Sequence, residues 1–255
     1  MTDAPIMVTG NPRSGTTWMQ WFLSQHPRIH IHGQEPNLPW SEMWGWFRRL
    51  VEQGAWAAES RHYEIAHYAG SDEERCRRIF RRFYRDYMTG YGPETPRWGI
   101  KSLWFCVSRA MVSQFESLWP ETRWVVCIRH PFASFESQRN TFVPDMDLDD
   151  WCKRWVATAR FAQEHDPRRT VLFQIDRLSD GALEVRRRAT DAVLACVGEA
   201  RSPETDEFVT RWPRVHEVIP RQRRTFVMSR AEKEAAVERH PELAVYAERL
   251  GYEVL

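Results

Sequence analysis

The stretch Gly10-Asn11-Pro12-Arg13-Ser14-Gly15-Thr16-Thr17-Trp18 sets two glycines with four residues between them, an arginine among those four, and two hydroxyl side chains directly after the second glycine. Glycine lets a backbone wrap closely around an anion, and successive N–H groups then point at phosphate oxygens. A helix starting at this point would add the positive end of its dipole. Arg13, Ser14, Gly15, Thr16 and Thr17 are therefore the candidate phosphate ligands. A nucleotide-hydrolysing loop of this spacing carries Lys and then Ser/Thr after its second glycine. Here the cation lies inside the loop, at Arg13, and no metal-binding aspartate can be placed at the end of a later strand. Both features argue against Mg-dependent ATP or GTP chemistry.

A second group that invites a chemical reading is the His30-Ile31-His32 pair. A strand would put both imidazoles on one face, but no third ligand is evident, so no metal is expected. They are secondary candidates for a general base or for acceptor contacts. Five cysteines, at 76, 106, 127, 152 and 196, form no CxxC pair, and three lie in apolar stretches. Buried, reduced thiols are expected, and with them a cytoplasmic location.

The elements that must position the loop can be read from hydrophobic periodicity. Pro5–Gly10 is a short apolar run and reads as a buried strand, while Trp18, Met19, Phe22, Leu23 and His26 recur at helical spacing until Pro27. The loop is thus a strand–turn–helix junction. Strands are expected at Trp98–Lys101, Arg123–Ile128 and Thr170–Ile175, with helical spacing around Trp151, Trp155, Ala159 and Ala162 and again through Val185, Ala189, Val193 and Val197. Ser71 with Glu74, and Ser229 with Glu232, have capping-box spacing. The first would open a helix burying Cys76, Phe80, Phe83, Tyr84 and Tyr87, and the second a helical tail ending near Leu250. Residues 34–60 read as loops and short helices. Strands alternating with helices predict an α/β fold: a three-layer, mainly parallel sheet flanked by helices.

Bulk properties narrow the partners. A chain of 255 residues, 42% hydrophobic, is enough for a single domain with a sizeable core. Charges nearly cancel, 36 Lys+Arg against 35 Asp+Glu, so neither nucleic acid nor an anionic membrane is expected as partner. No signal peptide and no apolar run of membrane-spanning length is read. Oligomeric state is left open.

The string Pro12-Arg13-Ser14-Gly15-Thr16-Thr17 resembles the 5′-phosphosulfate loop of the sulfotransferases that use 3′-phosphoadenosine 5′-phosphosulfate (PAPS), whose usual form is P-[KR]-S-G-T-T. The resemblance covers residues 5–35 and 97–140 and implies a P-loop NTPase-like sulfotransferase fold. It also implies a second anion site, for the 3′-phosphate: an arginine at a strand end with a serine eight positions on. Arg129 and Ser137 have that spacing. A guanidinium fork matches phosphate bidentately and a hydroxyl adds a directional donor. Trp18 matches the tryptophan that stacks on adenine in many family members, with packing inside the first helix as the competing explanation. Arg223, in Arg221-Gln222-Arg223-Arg224, corresponds to a late basic segment that reaches the 3′-phosphate.

Sulfuryl transfer, like phosphoryl transfer, needs positioning, cations for the leaving phosphate, and a base for the acceptor proton. The resemblance makes Arg13 the first cation and Lys101, in Lys101-Ser102, the second. The histidine that usually follows two residues after that lysine is replaced by Leu103. The tyrosylprotein-sulfotransferase branch instead uses a glutamate after the first helix, which points to Glu35 in Gly33-Gln34-Glu35, one residue out of register. The expected co-substrate is PAPS, leaving adenosine 3′,5′-bisphosphate and requiring no metal. The expected acceptor is a small molecule with a hydroxyl or amine, residues 36–96 forming a mainly helical insertion over it. Trp40, Trp44, Trp46 and Trp56 are candidate walls for a ring. The alternatives are a P-loop kinase-like phosphotransferase and a non-catalytic nucleotide-binding protein.

Overall fold

A computed structural model describes residues 4–33, 40–59, 73–89, 97–179, 181–213 and 226–255. Among them, five strands form one parallel sheet in the order β2-β3-β1-β4-β5. The strands are β1 (Ile6–Gly10), β2 (Ile29–Gly33), β3 (Arg97–Leu103), β4 (Arg123–Cys127) and β5 (Thr170–Phe173). β1 is central, paired in register with β3 (Gly10 opposite Leu103) and β4 (Gly10 opposite Cys127). A central parallel strand is covered on both faces and so has no polar side, which is why Ile6, Met7 and Val8 are all fully buried.

Alternation along the strands divides the core in two. Ile6, Val8, Val125 and Cys127 point to one face, covered by α1 (Thr16–Gln25), α7 (Leu183–Val197) and α8 (Pro203–Arg211). Met7, Trp98, Ile100, Trp124 and Val126 point to the other, which faces α2 (Trp40–Glu59), α3 (Glu73–Thr89) and α4 (Arg109–Leu118). A third cluster joins α5 (Pro131–Thr141) and α6 (Leu148–Glu164) to α9 (Arg230–Arg239) and α10 (Pro241–Arg249). None of the described helices is long and apolar enough to cross a membrane. Four of the five cysteines are buried and all five are free thiols.

The three-layer parallel architecture is the expected one, with local differences. Trp40–Glu59 is one continuous helix instead of loops and short helices. It runs on through Gly45 because its aromatic residues pack there against α3: Trp40 is 3% exposed and meets Phe80 and Tyr84. In α3, Phe83 lies 43% exposed beside Trp46, outside the expected buried stripe. The capping residue Ser71 lies outside the described residues. The tail beginning at Ser229 has its capping box but breaks into α9 and α10 at His240-Pro241, because the residue before proline is driven out of the helical region. β5 stops at Phe173, and Ile175–Arg177 forms a 3-10 turn. β4 likewise ends at Cys127, one residue early.

Candidate active site

Ligands of open parallel sheets bind outside the carboxyl ends of the strands. The phosphate loop leaves β1 there. Gly10 has φ 147°, and a Cβ on it would lie 2.0 Å from the Cys127 carbonyl oxygen, so only glycine lets β1 turn off this close to β4. The loop then closes on itself: Ser14 donates through its backbone N–H (3.3 Å) and its hydroxyl (2.5 Å) to the Asn11 carbonyl. Gly15, at φ 92°, is the N-cap of α1 and supplies no side-chain cap. No acidic residue lies in the first turn of α1. The first N–H groups of that helix are thus left for an anion. The side chain of Asn11 in this loop is fully buried, yet neither amide atom has a hydrogen-bond partner among the described residues.

Arg13 is a non-glycine residue at φ 64°. Left-handed backbone in a long side chain is rare and clusters at ligand-binding turns. Its Nε donates to Ser137 Oγ at 3.0 Å, and its guanidinium lies over the Phe142 ring, 5.3 Å from the centroid. The loop cation is therefore joined to the serine of the second motif.

Arg129 lies two residues beyond Cys127, on the same edge of the sheet as Gly10. Pro131 occupies the first turn of α5, and His130 caps that helix by accepting from the Ala133 N–H at 3.3 Å. Proline is suited to a first-turn position because it has no N–H to satisfy. α5 then places Ser137 two turns along, facing Arg13.

Lys101 lies in β3, paired with Val8 of β1 and with Gly33 of β2. The chain leaves the sheet at Gly33, beside Lys101 and two residues before Glu35. Glu35 itself, Gln34 and Arg223 lie outside the described residues. His30 and His32 are half-buried on β2, on the face opposite Ile29 and Ile31. Burial, and the neighbouring His30, lower the pKa of His32, which favours its neutral, proton-accepting form near neutral pH.

Two expected ring sites are occupied differently. Trp18 is 1% exposed, stacked against Phe22 (5.6 Å) and Phe173 (5.4 Å) and tilted against Trp212 (4.3 Å). Its ring is enclosed by the protein's own aromatic groups, as the packing explanation requires, and is not presented to adenine. Trp40 is likewise core, packed on Phe105 and Phe115. Trp44 is half-buried and Trp46 is exposed beside Phe83, and nothing is described of the Trp56 side chain.

Sequence reasoning missed Trp104 and Asp176. Trp104 follows Leu103 at φ 63°, with its N–H on the Gly10 carbonyl at 3.2 Å. Asp176 accepts from the His130 N–H at 3.0 Å. Neither belongs to a periodic pattern. The available signal was topological, since each lies just after a strand whose carboxyl end borders the loop.

Fold and site together define an α/β protein with a glycine-bounded loop at the carboxyl end of its central parallel strand. The chain belongs to the sulfotransferase family, whose model matches residues 5–179. A curated relative, protein-tyrosine sulfotransferase A of Caenorhabditis elegans, is 25% identical over 152 residues, which is 59% of this chain and 37% of the relative. The chain thus spans little more than a third of that protein's length. Among solved structures, the sulfotransferase domain of the Synechococcus PCC 7002 olefin synthase superposes with a TM-score of 0.58 at 17% identity, covering 98% of this chain and 95% of that domain. A sulfotransferase from Mycobacterium avium gives 0.56 at 15% identity, covering 99% and 78%. Both share the fold.

Proposed function

We propose that this sulfotransferase takes its sulfuryl group from PAPS and passes it to a hydroxyl or amine of a small-molecule acceptor. The observation that carries the reading is the bond from Arg13 to Ser137, because it sets the loop for a phosphosulfate next to the strand-end site for a 3′-phosphate. The uncapped start of α1 and the unpartnered Asn11 amide suit a polyanion at the loop.

The step is an in-line displacement. The acceptor oxygen or nitrogen forms a bond to sulfur while the bond from sulfur to the 5′-phosphate oxygen breaks. Glu35 takes the acceptor proton, and adenosine 3′,5′-bisphosphate leaves. Arg13 and Lys101 stabilise charge gathering on the leaving phosphate, Ser14, Gly15, Thr16 and Thr17 hold its oxygens, and Arg129, Ser137 and Arg223 hold the 3′-phosphate. Residues 36–96 border the acceptor. A protein tyrosine, the acceptor in the name of the curated relative, is the competing choice.

Two measurements test this. Adenosine 3′,5′-bisphosphate should raise the melting temperature and ATP with Mg²⁺ should not; the reverse would indicate a phosphotransferase. Incubation with PAPS, either with a metabolite extract or with tyrosine-containing peptides, should yield new sulfate esters by mass spectrometry in the first mixture. Products only in the second would assign a peptide acceptor. Stabilisation without product in either would indicate a non-catalytic binder.

A further inference from the structure

The 3-10 turn after β5, Ile175–Arg177, touches both halves of the candidate site. Ile175 packs on the loop glycine: a Cβ on Gly15 would lie 2.9 Å from Ile175 Cδ1. The next residue, Asp176, directs its carboxylate to the other half. Its Oδ2 accepts from the backbone N–H of His130, the residue directly after Arg129, at 3.0 Å. Its Oδ1 accepts from the Tyr252 hydroxyl at 2.9 Å.

Other bonds complete the frame around Arg129. The Arg129 carbonyl accepts from Trp155 Nε1 at 2.9 Å. His130 Nδ1 accepts from the Ala133 N–H, which leaves the ring hydrogen on Nε2, and Nε2 donates to the Glu253 carbonyl at 2.8 Å. The Tyr252 ring meets the His130 ring edge-on, with centroids 5.6 Å apart. The tail carrying Tyr252 is itself fastened to the same turn. Gln174 Nε2 donates to the Leu250 carbonyl at 3.0 Å, Arg177 donates to the Gly251 carbonyl, and the Arg177 guanidinium lies over the Tyr252 ring. Burial and the negative charge of Asp176 push the Tyr252 phenol far above its ordinary range, so it remains a donor.

We propose that Asp176 is a positioning residue for the donor nucleotide: with Tyr252 and His130 it fixes the backbone of the Arg129 turn, so that the guanidinium meets the 3′-phosphate in a preset orientation. The inference rests on the assignment of Arg129 to that phosphate. A bidentate arginine contact depends on direction as well as charge, and a binding group is productive when neighbouring bonds lock its support. The peptide group that follows Arg129 is held at both ends, its carbonyl by Trp155 and its N–H by Asp176. The tail from Leu250 to Glu253 closes this frame, so residues some 120 positions from Arg129 bear on its aim.

The test compares two nucleotides that differ only in the 3′-phosphate. Dissociation constants for adenosine 3′,5′-bisphosphate and adenosine 5′-monophosphate are measured by calorimetry on the full chain and on Asp176→Asn and Tyr252→Phe, well below each melting temperature. The wild type should prefer the bisphosphate. Asp176→Asn should weaken the bisphosphate about tenfold, as expected for losing hydrogen bonds to a charged group, and leave the monophosphate within about twofold. Tyr252→Phe, which keeps the ring and removes one hydrogen bond, should shift the same ratio by about threefold. It decides the matter alone if Asp176→Asn does not fold. A merely structural role would lower the melting temperature and leave the ratio unmoved; an unmoved ratio in a folded variant overturns the proposal. A wild type without preference would instead overturn the assignment of Arg129.

Discussion

Arg13 Nε and Ser137 Oγ, 124 positions apart in the chain, are 3.0 Å apart in the fold. Each belongs to a different motif proposed to bind an anion, so the bond makes the two motifs neighbours. Ser137→Ala should cost about tenfold in affinity for adenosine 3′,5′-bisphosphate, since a hydroxyl donor to a phosphate is lost. Turnover at saturating PAPS should fall far less. Arg13→Ala should do the opposite, lowering kcat about 10²- to 10³-fold through lost stabilisation of the leaving phosphate. Calorimetry and steady-state kinetics on the two variants separate these effects. Equal losses in both parameters for both variants would remove the division of labour.

Lys101 and the exit of β2 give a second prediction. Gly33 pairs with Lys101 across the β2–β3 ladder, so the chain towards Glu35 departs from beside the second cation. Glu35→Gln should abolish turnover and leave bisphosphate affinity nearly intact, because an amide keeps the shape but cannot take the acceptor proton. Retained turnover would hand the base to His30 or His32. Lys101→Ala should reduce kcat about 10²-fold or more with little change in acceptor KM.

The framework of the fold was legible because parallel strands and their covering helices write themselves as apolar runs and 3.6-residue periodicity. β1, α1, β4 and α6 stand where the pattern puts them, and the turn between β1 and α1 was legible from its glycines together with the string from Pro12 to Trp18. The breaks were less legible. Residues 34–60, Gly45 and Gly54 among them, read as loops and short helices, but the Trp40 and Phe47 rings on either side of Gly45 pack on Phe80 and hold α2 there. Tertiary packing overrides propensity there. Asp176 and Tyr252 were invisible for a different reason. Asp176 accepts from a backbone N–H 46 positions away and from the Tyr252 hydroxyl 76 positions away, and no spacing rule joins an aspartate in a 3-10 turn to either.

Trp18 provides a third prediction. Its ring fills a space walled by Phe22, Phe173, Phe208 and Trp212. Trp18→Ala should therefore destabilise the fold by about 3–5 kcal/mol, the usual cost of removing a buried aromatic side chain. Trp18→Phe should retain most of that stability and bind adenosine 3′,5′-bisphosphate as the wild type does. Denaturant melts and calorimetry check the pair. A tenfold loss of nucleotide affinity in Trp18→Phe, with stability kept, would restore the adenine-stacking role.

The last prediction concerns pH and a cluster remote from the loop. Glu116 on α4 accepts from Trp124 Nε1 (3.1 Å) and Arg169 (3.0 Å) and lies 3.1 Å from His165 Nε2. Burial works to raise the pKa of this carboxyl. The hydrogen bonds from His165 and Trp124, with the charges of His165 and Arg169, outweigh it, and the net shift is downward from 4.5. A carboxyl whose folded pKa lies below its unfolded one binds its proton more readily in the unfolded chain. Its stabilisation is complete above the ordinary carboxylate pKa and is lost as pH falls through the depressed folded value. Glu116→Gln should thus lower the melting temperature at pH 7, and the gap from wild type should narrow steadily below about pH 4.5, where the wild type loses the charge that the variant never had. Melting temperatures of both proteins from pH 7 to pH 3 decide it: a gap of constant size across that range would mean that Glu116 holds α4 to β4 by shape and neutral hydrogen bonding alone.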